Sequence, residues 1–233
     1  MLAIYKRECK AFFKGPLGYI FVAAFMLVMG LMFSMDFEMG LADLPYLFQF
    51  MLFTCIFLMP LLTMRLVSEE KKMKTDQLLF TAPVSISAVV FGKFLAAMTV
   101  FLSALGLTLL FPLIVSTYVT LPAGVILGNY LMVVLAASVF VAIGLFISSL
   151  TENQLIAAVL SLVTYFMLFM LQSLAPSAPL PAIASLMNFF SVFSRFFALT
   201  YGVITLGDVV YYLLMVAIFL FLTVRVFEKK RWA

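Results

Sequence analysis

The chain contains no histidine. That removes Ser-His hydrolysis, His-ligated metals and His proton relays together. Its two cysteines are Cys9, in a basic N-terminal stretch, and Cys55, inside an apolar run. Placed so far apart, they predict no disulfide. Charge is scarce: 10% of residues are charged, against roughly a quarter in a soluble domain. There is no phosphate-binding loop. Gly92-Lys93 is followed by Phe94 and lacks the upstream glycine such a cradle needs. No nucleophile–base pair can be assembled from the apolar runs, which argues against a membrane enzyme. What is present is hydrocarbon. Apolar residues make up 66% of the chain, where a soluble domain has roughly half. The reading is an all-α, polytopic membrane protein. Residues 1–233 form one transmembrane domain, with no separate soluble domain and no nucleic-acid partner expected.

The long polar interruption is Arg65 to Ser85, RLVSEEKKMKTDQLLFTAPVS. It carries Arg65, Glu69, Glu70, Lys71, Lys72, Lys74 and Asp76. Each charge at a bilayer centre costs about 2.5 to 3.5 kcal/mol on insertion scales, so this stretch is expected outside the membrane. It also reads as a helix. Ser68 is the expected N-cap, with Glu69 and Glu70 at the positive end of the helix dipole. Leu78, Leu79 and Phe80 form an apolar tip, and Pro83 stops the helix. A charged helix with an apolar tip suits docking of a partner. A solvated, capped loop is the plainer reading.

In chain order, Met1 to Lys14 reads as an amphipathic helix. Leu2, Tyr5, Cys9 and Phe12 share one face, and Lys6, Lys10 and Lys14 another, with Arg7 beside them. Such a helix lies on an anionic membrane surface. No small-residue cleavage site follows, which disfavours a signal peptide. Six spans are expected: Leu17–Ser34, Leu44–Met64, Ala88–Ser116, Val125–Ser149, Gln154–Leu174 and Val209–Val226. Pro112 should kink the third. Lys93, near the inner end of the same span, should snorkel. Asp36, Glu38 and Asp43 make an acidic loop after the first span. Thr151, Glu152 and Asn153 make a tight turn after the fourth. Residues 175–207 open on Pro176, Pro179 and Pro181. Phe189, Phe190, Phe193, Phe196 and Phe197 then share a helical face, with Asn188, Ser191 and Arg195 away from it. This is expected to be a helix that dips into the membrane edge or lies on it. With both termini inside, Arg195 alone of the 14 basic residues falls outside, as the positive-inside rule asks.

Two smaller patterns stand out. Gly124 and Gly128 have the spacing of a close helix approach. Met26, Met29, Met32, Met35 and Met39 form a partial stripe that could carry copper(I) or simply pack. No Asp, Glu, Lys or Arg lies deep within a span. That weakens a proton- or ion-driven carrier.

The order of parts resembles the membrane subunit of an ABC-2-type ABC transporter. The carrying residues are Arg65 to Ser85 followed by Gly92-Lys93-Phe94, and the run Gly144 to Gln154, GLFISSLTENQ. The resemblance extends over the whole chain. In its compactness the chain is most similar to the gliding-motility-associated permeases. The resemblance implies two membrane subunits, identical or homologous, each resting on a separate cytoplasmic ATPase. ATP and Mg would sit on those ATPases, and this chain would bind no cofactor or metal. Glu69, Glu70, Lys71, Lys72, Thr75, Asp76, Gln77, Leu78 and Leu79 match the family's coupling loop. Thr151, Glu152 and Asn153 are a second inner turn. Phe189, Phe193 and Phe196 are candidates for an outer gate. The family implies a bacterial-type inner membrane and an exporter. A secondary transporter or channel acting alone, or a non-transporting scaffold of a motility or secretion assembly, are the alternatives.

Overall fold

In a bilayer the backbone must satisfy its own polar groups, so an apolar chain crosses as helix. The computed structural model describes residues 1–38, 44–74, 85–177, 180–199 and 205–232. Helix α1 is Leu2–Lys14, α2 Pro16–Glu38, α3 Leu44–Thr63 and α4 Arg65–Lys72. Then come α5 Ile86–Leu107, α6 Leu110–Ser116, α7 Ala123–Leu150 and α8 Gln154–Leu174. A single 3₁₀ turn, Ala175–Ser177, leads to α9 Pro181–Phe190, α10 Val192–Leu199 and α11 Leu206–Trp232. The described residues contain no strand. Among the described residues, six segments are long and apolar enough to cross a membrane: Pro16–Phe37, Pro45–Lys72, Ile86–Ser116, Ala123–Leu150, Gln154–Ser177 and Leu206–Lys229.

The fourth span, α7, is the centre. It is 78% buried inside the chain, whereas the first, fifth and sixth spans are 22%, 17% and 28% buried. Small residues make this possible. Ala136, Ala137, Ala142 and Gly144 on α7 leave room for neighbours on every side. Gly144 marks the closest approach. A Cβ there would lie 2.3 Å from Thr63 Oγ1 and 2.5 Å from Tyr165 Oη. Tyr165 Oη donates to the Phe140 carbonyl at 2.6 Å, so α3, α7 and α8 meet on one fully buried point. By contrast, a Cβ at Gly124 would meet nothing. Within this subunit that glycine serves no helix approach. The methionine stripe also divides: Met29 is buried beside Thr54, at 3.9 Å, while Met35 is exposed. Met39 lies outside the described residues.

The third span breaks at Thr108 and Leu109, between α5 and α6. Pro112 is the cause. Its ring clashes with the carbonyl four residues earlier, which is that of Thr108. The kink therefore appears one turn before the proline. Thr108 Oγ1 lies 3.2 Å from Tyr130 Oη, which fastens the bend to α7.

The structure corrects the reading of residues 65–85 in two ways. Ser68 is not an N-cap. It lies inside α4, fully buried, and its hydroxyl donates to the Met64 carbonyl. Nor does a separate helix begin near Glu69. Helix α4 starts at Arg65, one turn residue after α3, so the second span runs on to Lys72. Hydropathy ended the span at the first charge. Backbone continuity carries it further, because α4 has an apolar side formed by Leu66 and Val67. Residues 75–84 lie outside the described residues, and with them Thr75, Asp76, Gln77, Leu78 and Leu79.

Of the expected face of α1, Phe12 is buried and Tyr5 and Cys9 pack against the core, but Leu2 does not join them. Ile4, Glu8 and Phe12, at four-residue spacing, face the bundle, while Leu2 is 72% exposed. The aromatic segment likewise departs from a single-faced helix. Ser191 separates α9 from α10, so positions before and after it do not share one face. Phe189 and Phe190 are exposed, whereas Phe193 and Phe196 are fully buried. The side chain of Phe197 lies outside the described residues.

Candidate functional site

A closed ring of charges joins the end of the second span to the start of the third and to α1. Arg7 Nη2 lies 2.6 Å from Glu70 Oε1 and 2.6 Å from Glu8 Oε1. Lys93 Nζ lies 2.9 Å from Glu70 Oε2 and 3.3 Å from Glu8 Oε1. Two cations and two anions alternate, so the ring is neutral. Glu70 comes from α4, Lys93 from α5, and Arg7 and Glu8 from α1. The Lys93 side chain is wholly buried, and those of Glu8 and Glu70 are 12% and 15% exposed. Lys93 therefore does not snorkel: it reaches into the bundle because two carboxylates wait there. Burial opposes the charge of Arg7, but Glu8 and Glu70 outweigh it and hold its pKa above the ordinary value.

Local sequence explains why α1 can come so close. Gly92 precedes Lys93. A Cβ at Gly92 would lie 3.0 Å from Ile4 Cγ2 and 3.4 Å from the Tyr5 backbone nitrogen. Glycine thus seats α1 directly on α5. Two turns further along α5, Tyr5 Oη and Thr99 Oγ1 are 2.9 Å apart. Packing and hydrogen bonding set the register in which the four charges meet.

A second fastening joins α4 to the end of α7. Ser148 Oγ donates to the Met64 carbonyl at 3.1 Å. It accepts from the backbone N–H groups of Val67 at 3.2 Å and Ser68 at 3.1 Å. These are among the orphan backbone groups left by the break at Met64. Lys71 is buried, and its ammonium donates to the Ser149 carbonyl. A cation on the last carbonyls of α7 also meets the negative end of that helix.

The expected coupling residues therefore divide. Glu70 and Lys71 face inward and hold α4 to α1, α5 and α7. Glu69 pairs along α4 with Arg65, whose Nη2 is 3.0 Å from Glu69 Oε1. Lys72 is exposed. The 151–153 turn forms as expected. Asn153 Oδ1 accepts from the Leu155 N–H at 2.9 Å and caps α8, and Thr151 Oγ1 accepts from the Asn153 N–H at 3.1 Å. Glu152 is exposed. Sequence reasoning missed Arg7, Glu8 and Lys93. The signal was a lone acid in the basic stretch 6–14, and a lone lysine behind a glycine in an apolar helix.

At the opposite end of the spans, Arg195 Nη1 on α10 lies 3.0 Å from Asp208 Oδ1 on α11. Its guanidinium stands 4.3 Å over the Tyr211 ring. Tyr212 Oη donates to the Val192 carbonyl at 2.8 Å. Of the proposed gate residues, Phe193 packs against Phe140 and Phe169, and Phe189 against Tyr211. Phe196 is buried like Phe193, whereas Phe189 is exposed. Among the described residues no cluster of acids or cysteines could hold a metal.

The arrangement is built of ion pairs and hydrogen bonds. It ties three helix ends and α1 into one unit at the root of the charged stretch. No curated protein matches the chain. A family model described as ABC-2 family transporter protein matches residues 38–226. That span contains Glu70, Lys93 and the Ser148 staple, while α1 precedes it. The chain is a multi-pass membrane protein, and it belongs to the ABC-2 family of transporter proteins.

Proposed function

We propose that the chain is the transmembrane subunit of an ATP-driven ABC-2-type exporter. It forms the translocation path with a second membrane subunit, and each subunit rests on a cytoplasmic ATPase. Both termini are cytoplasmic, in a bacterial-type inner membrane. Residues 65–85 receive the motion of the ATPase. Within the family, the chain is read as a compact permease of the gliding-motility-associated kind.

One observation carries this reading. Helix α4 is a direct extension of the second span, and it is fastened to α1, α5 and α7 by Glu70, Lys71 and Ser148. A loop hung from such an end cannot be pushed without moving spans two, three and four. A solvated linker would need no buried fastening. The sequence has no phosphate loop, so ATP and its Mg belong on a partner. The test is hydrolysis by purified components. The chain alone should show none, and an ATPase co-purifying with it should supply all of it. Contaminant-free hydrolysis by the chain alone would refute the division of labour.

A further inference from the structure

A groove runs between α1 and the outer side of α5. Leu2, Tyr5, Leu95, Met98, Thr99 and Leu102 line it, and its volume is about 290 Å³. Leu95 and Leu102 are 38% and 44% exposed along it. They are two turns apart, about 10 Å of helix at 1.5 Å per residue. The only side-chain hydroxyls in the lining, Tyr5 Oη and Thr99 Oγ1, are 2.9 Å apart and satisfy each other. The floor thus presents hydrocarbon. A groove with so little polar surface suits an alkyl chain better than a soluble polar ligand.

Charge identifies the other end of the occupant. Lys6 and Lys10 stand one turn apart on α1, both exposed. Helix α1 has one acid, Glu8, and it is turned into the charge ring with Arg7 and Lys93. That ring neutralises Arg7, and among the described residues Lys6 and Lys10 take part in no ion pair. Lys6 directly follows Tyr5 of the lining and Lys10 lies one turn beyond it, on a helix of the kind that meets headgroups at the interface. We propose that this groove is a binding site for an anionic phospholipid, with one acyl chain between α1 and α5 and the headgroup phosphate on Lys6 and Lys10. The site does not depend on the transport reading.

The full chain, purified in detergent, is titrated with palmitoyl-oleoyl phosphatidylglycerol and with the matching phosphatidylcholine, and binding is read by native mass spectrometry. The anionic lipid should bind about thirtyfold more tightly, given two surface lysines. Lys6→Glu with Lys10→Glu should remove that preference. Leu102→Trp, which fills the groove, should abolish the tightest site. On the unaltered chain, phosphatidylglycerol with a photoreactive acyl chain should label residues 95–102 and 1–5 above all others. Equal affinity for the two lipids, or labelling spread evenly over the spans, would overturn the proposal.

Discussion

Lys93 decides most at the scale of single residues. A buried ammonium is tolerated only where carboxylates compensate it. Here Glu8 and Glu70 do so together, and Arg7 completes the balance. Removing one charge from such a ring leaves an uncompensated partner, which costs about 3 to 5 kcal/mol in buried pairs. Lys93→Met should therefore destabilise the chain by several times more than Lys72→Met on the exposed side. Lys93→Met combined with Glu70→Gln should recover part of the loss, because the remaining Arg7 and Glu8 balance. Denaturant unfolding in detergent micelles measures both. Equal, small effects for Lys93 and Lys72 would show that the ring contributes nothing to the fold.

At the scale of elements, helices were legible where hydrophobic length alone decides. The fifth span was expected at Gln154–Leu174 and α8 has those bounds. The ends of the other spans moved where something other than hydropathy acts. Helix α3 passes into α4 because Leu66 and Val67 keep one side apolar through a charged sequence. The orientation of α1 was legible in part: Phe12, Tyr5 and Cys9 pack on the core, but the buried stripe also includes Glu8, whose partner 85 residues away at Lys93 is invisible to local periodicity. The aromatic segment failed for a different reason. Helical spacing was counted straight through Ser191, where the helix stops. That break divides the expected gate. Phe193 is fully buried against α7 and α8, while Phe189 is half exposed. Phe193→Ala should cost about 3 to 5 kcal/mol of stability, as a buried aromatic truncation does. Phe189→Ala should stay near 0.5 kcal/mol, roughly the range of exposed positions. Unfolding of the two variants side by side separates them, and a Phe189 loss as large as that of Phe193 would return both to one packed face.

At the scale of the whole molecule, the proposed topology has both termini on one side of the membrane, with the basic residues marking that side as the inner one. The expected orientation places Asp43 and Leu121 outside and Thr75 inside. Single cysteines at these positions, with Cys9 and Cys55 removed, should react with a membrane-impermeant reagent at 43 and 121 only. Reaction at 75 from outside would invert the orientation. The central claim is that the stretch carried by α4 docks an ATPase and passes its motion to the spans. Glu70 and Lys71 anchor the root of this stretch, and the proposed contact is its apolar tip at Leu78 and Leu79. A buried interface residue costs about 2 kcal/mol or more on truncation, roughly thirtyfold in affinity. The most direct measurement is pull-down of the ATPase and vesicle transport by Leu78→Ala with Leu79→Ala, with membrane insertion followed in parallel. The double variant should insert normally, lose about thirtyfold in ATPase affinity and stop transporting. Unchanged binding together with unchanged transport would contradict the account.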